Sequence, residues 1–224
     1  MSKAVDGTPH DAGPLIGGKL YREGASYPVV NPADWRSVIG TAWYGNEVLV
    51  DRAFETAEKG FRQWSARSVT ERAAILERLA DTMEEERAAL MGLCVREAGK
   101  TVEDALAEVR EAIDFCRYYA QRGRIDFNPE GRMMPGPTGE RNILTLEPRG
   151  IFVCISPWNF PLAIFLGQVA AALMAGNAVI AKPAEQTPLI ALKIVRMALQ
   201  AGVPPDALTL MTGDGTVGAM LVRH

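Results

Sequence analysis

The stretch GIFVCISPWNFPLAIFLGQVAAALMAGNAVIAKPAE, residues 150–185, decides the fold class. It contains two short apolar runs, GIFVCIS and NAVIAKP, on either side of a longer apolar segment that ends at Gly176. Short apolar runs bounded by Gly, Pro or Asn are typical of buried strands, whereas the longer segment has the length of a helix. A buried strand, a helix and a second buried strand predict parallel strands in a sheet covered on both faces.

The sequence after residue 185 repeats this pattern. TPLIALKIVRMALQAG reads as a helix with proline in its first turn and glycine at its end, and ALTLMTG reads as a third strand. Another helix is expected from Thr216. The predicted fold class is therefore α/β, with a Rossmann-type, doubly wound parallel sheet. Sheets of this kind bind ligands at the carboxyl ends of their strands.

The sequence before residue 150 has a different organisation. Apolar residues spaced four and three apart predict helices over residues 47–122, and Ser68-x-x-Glu71 predicts a capping box at the start of one of them. We expect an N-terminal arm with short strands over residues 1–46 and an extended, Gly/Pro-rich segment over 123–149. Residues 150–224 then form the first part of the sheet.

Composition excludes several classes of protein. The 224 residues carry a net charge of −3 and are 48% hydrophobic, which is typical of a globular chain, and no basic cluster suggests a nucleic-acid partner. The longest apolar stretch, 162–175, is too short to span a bilayer. Cys94, Cys116 and Cys154 lack metal-ligand spacing, and we expect no metal site and a reducing, cytoplasmic location.

The end of the first strand carries Asn159 in the heptapeptide ISPWNFP, residues 155–161. An asparagine amide can donate to a developing negative charge, as an oxyanion-hole donor does. The alternative is a rigid strand-to-helix turn packed by Trp158.

The second and third strand ends carry weaker signals. Lys182 and Glu185 stand where a doubly wound sheet grips a nucleotide ribose, although an exposed ion pair is the alternative. The glycines Gly213, Gly215 and Gly218 form G-x-G-x-x-G between a strand and a helix, although an ordinary glycine-rich turn would look the same. Three such signals at neighbouring strand ends together favour a dinucleotide site.

These residues also carry a more specific resemblance. ISPWNFP, KPAEQTP and TGDG resemble motifs in the cofactor-binding half of the aldehyde dehydrogenase superfamily. Within it, EAGKT, AEVREAIDFCRYYA and the run GPTGER to PLAIF resemble the L-glutamate γ-semialdehyde (pyrroline-5-carboxylate) dehydrogenases, including the module found in bifunctional proline-utilisation proteins. The likeness extends from about Pro14 to the last residue.

The resemblance implies a role for each matching residue. Asn159 would help to form the oxyanion hole, Phe160 would line the substrate pocket, and Glu111 would face the aldehyde tunnel, unless Glu111 simply pairs with a nearby arginine such as Arg110. Lys182 and Glu185 would hold the ribose hydroxyls of NAD, and the glycines would lie near its adenine end. The implied cofactor-binding residues are Ile155, Ser156, Pro157, Trp158, Lys182, Ala184, Glu185, Gly213, Gly215 and Gly218.

The resemblance also implies what the 224 residues do not supply. Family members use a cysteine nucleophile and a glutamate base from the half that follows this region, and the three cysteines here lie in helical or strand patterns that favour burial. We therefore expect part of a longer, homo-oligomeric, NAD-dependent dehydrogenase of proline catabolism, inactive alone and with an incomplete, unpaired sheet edge. The alternatives are a catalytically dead nucleotide-binding or interaction module and a non-functional truncation product.

Overall fold

The computed structural model describes residues 10–224. Within them the chain forms ten strands and seven helices. In chain order these are β1 His10–Ala12, β2 Leu15–Ile16, β3 Lys19–Leu20, β4 Ser26–Asn31, β5 Asp34–Trp43, α1 Glu47–Ser65, α2 Val69–Glu85, α3 Arg87–Ala98, α4 Val102–Asp126, β6 Arg132–Met134, β7 Asn142–Leu144, β8 Ile151–Ile155, α5 Ala163–Met174, β9 Ala178–Lys182, α6 Pro188–Ala201, β10 Leu208–Leu210 and α7 Gly215–Arg223.

The central sheet has the strand order β3-β2-β10-β9-β8. Strands β8, β9 and β10 are parallel, with Ile151 opposite Ala178 and Ile155 opposite Lys182. This confirms the predicted parallel α/β arrangement. Parallel neighbouring strands need a crossover connection, and helices α5 and α6 supply the crossovers between β8, β9 and β10.

Helices cover both faces of this sheet. Alternate residues of β9 point to opposite faces, as the pleat of a strand requires. Val179 and Ala181 pack into the larger core with α2, α4, α5 and α6. Ala178 and Ile180 pack into a second core with α1 and α7. The α/β fold class predicted from residues 150–224 therefore agrees with the structure.

Several helix ends follow the sequence signals. The Ser68 hydroxyl accepts from the backbone N–H of Glu71, and the Glu71 carboxylate accepts from the backbone N–H of Ser68, which completes the predicted capping box. Gly99 ends α3 with a left-handed backbone, φ +67°, which glycine adopts without steric cost.

The N-terminal part of the chain is more closely integrated than its composition predicts. Strand β2 pairs antiparallel with β10, and β3 pairs with β2, so part of the arm extends the central sheet. Strand β10 is therefore paired on both sides, and the unpaired edges of the central sheet among the described strands are β3 and β8. Helix α4 continues to Asp126, beyond residue 122, where the helical part was expected to end, and its Val102 and Leu106 are exposed.

The segment after α4 forms a short hairpin of β6 and β7, paired antiparallel. Its side chains are largely exposed, including Met133, Ile143 and Leu144. None of the helices formed by residues 10–224 has both the length and the apolar character needed to cross a membrane.

Candidate functional site

The three strand ends that carry the sequence motifs lie side by side. The backbone N–H of Ser156, just after β8, donates to the carbonyl of Lys182 at the end of β9, 3.1 Å away. The N–H of Met211, just after β10, donates to Ala181 at 2.9 Å. The motif residues predicted from widely separated parts of the sequence therefore meet at one edge of the sheet.

The first strand end is the loop that carries Asn159. Trp158 is 55% exposed, and Asn159 and Phe160 are also exposed, whereas Pro161 and Leu162 are buried. The alternative of a turn packed by its tryptophan does not fit, because the Trp158 ring is not buried. The loop instead presents its aromatic and amide groups outward from a buried base.

The second strand end holds Lys182 in an unusual setting for a lysine. Its side chain is only 3% exposed, and its Nζ donates to the Pro183 carbonyl at 3.0 Å. Burial holds the pKa of Lys182 below its ordinary value, although the nearby carboxylates of Glu185 and Asp214 act to raise it. An exposed ion pair, the alternative interpretation of these residues, is therefore wrong for Lys182. The ammonium group keeps two N–H donors for other partners.

The third strand end is a glycine-rich turn that begins α7. The Asp214 carboxylate accepts from the N–H of Thr216 at 2.8 Å and of Val217 at 3.4 Å. Burial acts to raise the pKa of Asp214, but the hydrogen bonds from Thr216 and Val217 and the charge of Lys182 together hold this pKa below its usual value. Because a carboxylate already caps the helix, this turn is a poor place for a pyrophosphate, and the adenine end remains the better prediction.

The glycines of this turn differ in their surroundings. A Cβ at Gly213 would collide with the Val217 side chain, so packing explains that glycine. A Cβ at Gly218 would lie 3.5 Å from Cε of Lys182, in ordinary contact. Gly215 faces open space, with no atom within 4 Å of the position of a Cβ. The protein's own packing therefore gives no reason for glycine at 215.

Two observations test whether these residues fit a dinucleotide such as NAD. The buried Ser156 Oγ, at the junction of β8 and β9, has no hydrogen-bond partner within residues 10–224. Buried hydroxyls are normally satisfied, so this atom marks a hydrogen bond that residues 10–224 do not supply. The unpaired hydroxyl and the open space at Gly215 are compatible with a nucleotide at the strand ends.

A separate groove runs along one exposed face of α4. It has a volume of about 600 Å³ and is lined by Ala107, Arg110, Glu111, Asp114, Phe115 and Tyr118. Glu111 is exposed and forms no ion pair with any residue of the described chain, so the alternative of an arginine partner has no support there. Asn159 and Phe160 are not among the residues that line this groove.

The three cysteines are all buried and free. Burial raises the pKa of Cys116 to about 12 and of Cys154 to about 11, and it also raises that of Cys94. A thiol that stays protonated is neither a nucleophile nor a metal ligand. The burial of all three cysteines agrees with the helical and strand patterns in which the sequence places them.

The sequence analysis missed two residues beside the site, the buried Glu108 and the partly buried Lys100. The Glu108 carboxylate accepts from the backbone N–H of Leu162 at 2.8 Å and lies 2.6 Å from Nζ of Lys100. A sequence signal for Glu108 was available. Glu108 falls on the buried face of α4, between Ala105 and Ala112, and a carboxylate on a buried face needs hydrogen-bond or charge partners.

Comparisons with known proteins agree on one protein family. The profile of the aldehyde dehydrogenase family matches residues 21–224. The bifunctional protein PutA of Klebsiella aerogenes is 52% identical over 200 residues, which are 89% of this chain and 14% of that protein. The 1-pyrroline-5-carboxylate dehydrogenase of Geobacillus thermodenitrificans is 39% identical over 211 residues, 94% of this chain and 41% of that enzyme.

Solved structures agree with the sequence relatives. Proline utilization A of Bdellovibrio bacteriovorus superposes with a TM-score of 0.92 and 34% identity, over 96% of this chain and 22% of that one. A 1-pyrroline-5-carboxylate dehydrogenase mutant of Thermus thermophilus superposes with a TM-score of 0.90 and 34% identity, over 96% and 42%. The chain thus spans less than half the length of these relatives, and on the match over residues 21–224 it belongs to the aldehyde dehydrogenase family.

Proposed function

We propose that this chain forms the cofactor-binding part of an NAD-dependent dehydrogenase that oxidises L-glutamate γ-semialdehyde to L-glutamate in proline catabolism. The observation that carries the proposal is the meeting of three strand ends, where Ser156, buried Lys182 and Glu185 adjoin the loop that presents Asn159. The names of the PutA and 1-pyrroline-5-carboxylate dehydrogenase relatives support the choice of substrate.

In this proposal Lys182 and Glu185 bind the adenosine ribose. The Lys182 ammonium has two donors left after its bond to Pro183, and the Glu185 carboxylate can accept from ribose hydroxyls. NAD would accept a hydride from the substrate when it is bound. The two carboxylates near Lys182, Glu185 and Asp214, would repel the 2′-phosphate of NADP and so favour NAD. Ser156, whose backbone N–H donates to the Lys182 carbonyl, would adjoin the cofactor.

The remaining cofactor-side residues would shape the groove. We propose that Ile155, Pro157 and Trp158 form its apolar wall, because Ile155 and Trp158 are exposed at the end of β8. Ala184 lies in the turn between Lys182 and Glu185 and leaves room for the ribose. Gly215 and Gly218 would lie near the adenine, with Gly213 in the preceding turn.

The substrate side would use the outward-facing groups of the loop and of α4. Asn159 would donate its amide N–H to the aldehyde oxygen as negative charge develops there. Phe160 and Glu111 would line the substrate path. Of these residues, Glu111 lines the groove on α4.

The nucleophile would have to come from outside these 224 residues. A covalent route needs an activated thiolate within reach of the oxyanion donor, and Cys94, Cys116 and Cys154 are buried with raised pKa values. We therefore propose that the chain on its own oxidises no aldehyde. This observation also favours the second candidate, a nucleotide-binding module without catalysis.

We further propose a homo-oligomer and a cytoplasmic location. The exposed apolar side chains of the hairpin in residues 123–149, Met133, Ile143 and Leu144, support an oligomerisation role for this segment. The three free thiols support a reducing compartment.

The test of the proposed activity is an assay of NADH formation with L-glutamate γ-semialdehyde and with simple aldehydes. We expect no turnover from residues 1–224 alone, and turnover when the chain is part of a protein that supplies a thiolate. Turnover by the chain alone that disappears on Cys94→Ser, Cys116→Ser or Cys154→Ser would overturn the assignment of the nucleophile. A thiolate-bearing protein that contains the chain and leaves every aldehyde unoxidised would favour the non-catalytic module.

A further inference from the structure

The first turn of α5 has no cap from its own side chains. Leu162 stands at the N-cap position, and a leucine cannot accept from the free N–H groups of the turn. Glu108 of α4 takes this role from a distance, because its Oε1 accepts from the N–H of Leu162 at 2.8 Å and of Ala163 at 3.2 Å. The end of the Asn159 loop is thus fixed by another helix.

The capping carboxylate is itself held by one lysine. The Glu108 side chain is fully buried, and its second oxygen lies 2.6 Å from Nζ of Lys100, whose side chain is 11% exposed. A buried charge that loses its partner is strongly destabilising. The position of Glu108, and with it the start of α5, therefore depends on Lys100.

Lys100 also contacts the loop directly. Its Nζ lies 4.2 Å from the centre of the Phe160 ring, within the range of a cation–π interaction. One ammonium group therefore touches Phe160 and, through Glu108, anchors Leu162 and Ala163. Asn159 immediately precedes this segment, residues 160–163, which Lys100 contacts at Phe160 and Glu108 caps at Leu162 and Ala163.

We propose that Lys100 and Glu108 are positioning residues that set the place of Asn159 and Phe160. The inference rests on the proposed function for the roles of those two residues. An oxyanion donor acts only when it is aimed at the site where charge develops, and small displacements reduce the rate steeply. Loss of the pair should therefore lower kcat and leave NAD affinity unchanged, because the pair holds Phe160, Leu162 and Ala163, whereas the proposed cofactor-side residues of the loop, 155–158, precede them and Lys182 and Glu185 lie on another strand end.

Three variants separate positioning from simple loss of a buried charge. Lys100→Met leaves the Glu108 carboxylate without its cation, and Glu108→Gln keeps an acceptor oxygen but sets an amide N–H₂ against the lysine. The double variant K100M/E108Q removes both charges and keeps the acceptor for α5. Lys59→Met, at an exposed lysine of α1, is the matched control.

The first measurement is amide hydrogen exchange of the 224-residue chain by NMR, with global stability measured in parallel. We expect the Leu162 and Ala163 amides to exchange about tenfold faster in K100M and in E108Q, the effect of weakening one hydrogen bond to a charged group. In K100M/E108Q, whose neutral amide oxygen is a weaker acceptor but has no unpaired charge beside it, we expect exchange between that of the single variants and that of the parent chain, and in K59M we expect exchange near that of the parent chain. Parent-like exchange at both amides in both single variants would overturn the inference.

The second measurement is kinetic, in an active dehydrogenase that contains this chain. We expect K100M to lower kcat about tenfold or more, at the low end of the effect of losing an oxyanion donor, with unchanged NAD Kd. An active parent with unchanged kcat in K100M would overturn the positioning role while leaving the proposed function intact. A parent without any turnover would overturn the proposed function, and the exchange experiment would still decide the inference.

Discussion

The Glu97 carboxylate on α3 accepts the backbone N–H of Leu189 at the start of α6, at 2.6 Å, although the two residues are 92 positions apart. Its other oxygen accepts from Ile190 at 2.8 Å. Thr187, at the N-cap position, makes no side-chain cap, so α6 is capped from another helix in the same way as α5. This contact joins the helical part of the chain to the parallel sheet.

Glu97 should make folding stability depend on pH. Burial raises its pKa to about 8, although the hydrogen bonds from Leu189 and Ile190 act to lower it. Between the unfolded value of 4.5 and about 8, the folded state then binds more protons than the unfolded state. The Glu97 contribution to the free energy of unfolding should therefore fall as pH rises through this window, by up to roughly 1 kcal/mol per pH unit.

Urea unfolding at pH 5, 6.5 and 8 measures this slope. Because other carboxylates titrate as well, the useful quantity is the difference between the parent chain and Glu97→Gln, which cannot titrate. The free energy of unfolding of the parent chain should fall relative to that of Glu97→Gln as pH rises. If the free energy of unfolding of the parent minus that of the variant stays constant or grows with pH, this result would contradict a raised pKa at Glu97.

The cysteines should be inert while the chain is folded. Burial holds the pKa of Cys116 at about 12 and of Cys154 at about 11, and it also raises that of Cys94, so very little thiolate is present at pH 8. With a chromogenic disulfide reagent, we expect slow reaction in buffer and three fast equivalents in denaturant. One thiol that reacts in buffer as fast as free cysteine would contradict the absence of an activated nucleophile.

Asn159→Ala should reduce turnover in an active dehydrogenase that contains this chain. Removing one oxyanion-hole donor lowers kcat by about 10²–10³-fold. The measurement is single-turnover NADH formation, where chemistry limits the rate, and Asn128→Ala, in the segment after α4, is a matched control. Parent-like single-turnover rates in Asn159→Ala would remove this residue from the catalytic machinery.

Local patterns account for what the sequence predicted. The apolar runs around Cys154 and Ile180, the capping box at Ser68 and the glycine stop at Gly202 depend on neighbours within a few residues, and all appear in the structure. The pairing of β2 with β10 involves one register pair, Leu15 with Leu210, and two-residue strands leave no recognisable periodicity.

The helix caps supplied from a distance could not be predicted for a related reason. Glu108 reaches Leu162 across 54 residues, and Glu97 reaches Leu189 across 92. Each looks like an ordinary charged residue of a helix until tertiary packing brings an uncapped helix end against it. The candidate site was predicted at its strand ends, whereas the Lys100–Glu108 pair that supports it was not.

The central claim is that NAD binds at the joined ends of β8, β9 and β10 through Lys182 and Glu185. Because binding by the 224-residue chain is expected to be weak, NMR titration with NAD at millimolar concentrations measures it most directly. We predict chemical-shift changes at the amides of 155–158, 182–185 and 213–218, with binding weakened about tenfold or more in Glu185→Ala by loss of ribose hydrogen bonds. Glu58→Ala, an exposed glutamate on α1, should bind like the parent chain. Shifts that spare these three segments, or that are unchanged in Glu185→Ala, would contradict the claim.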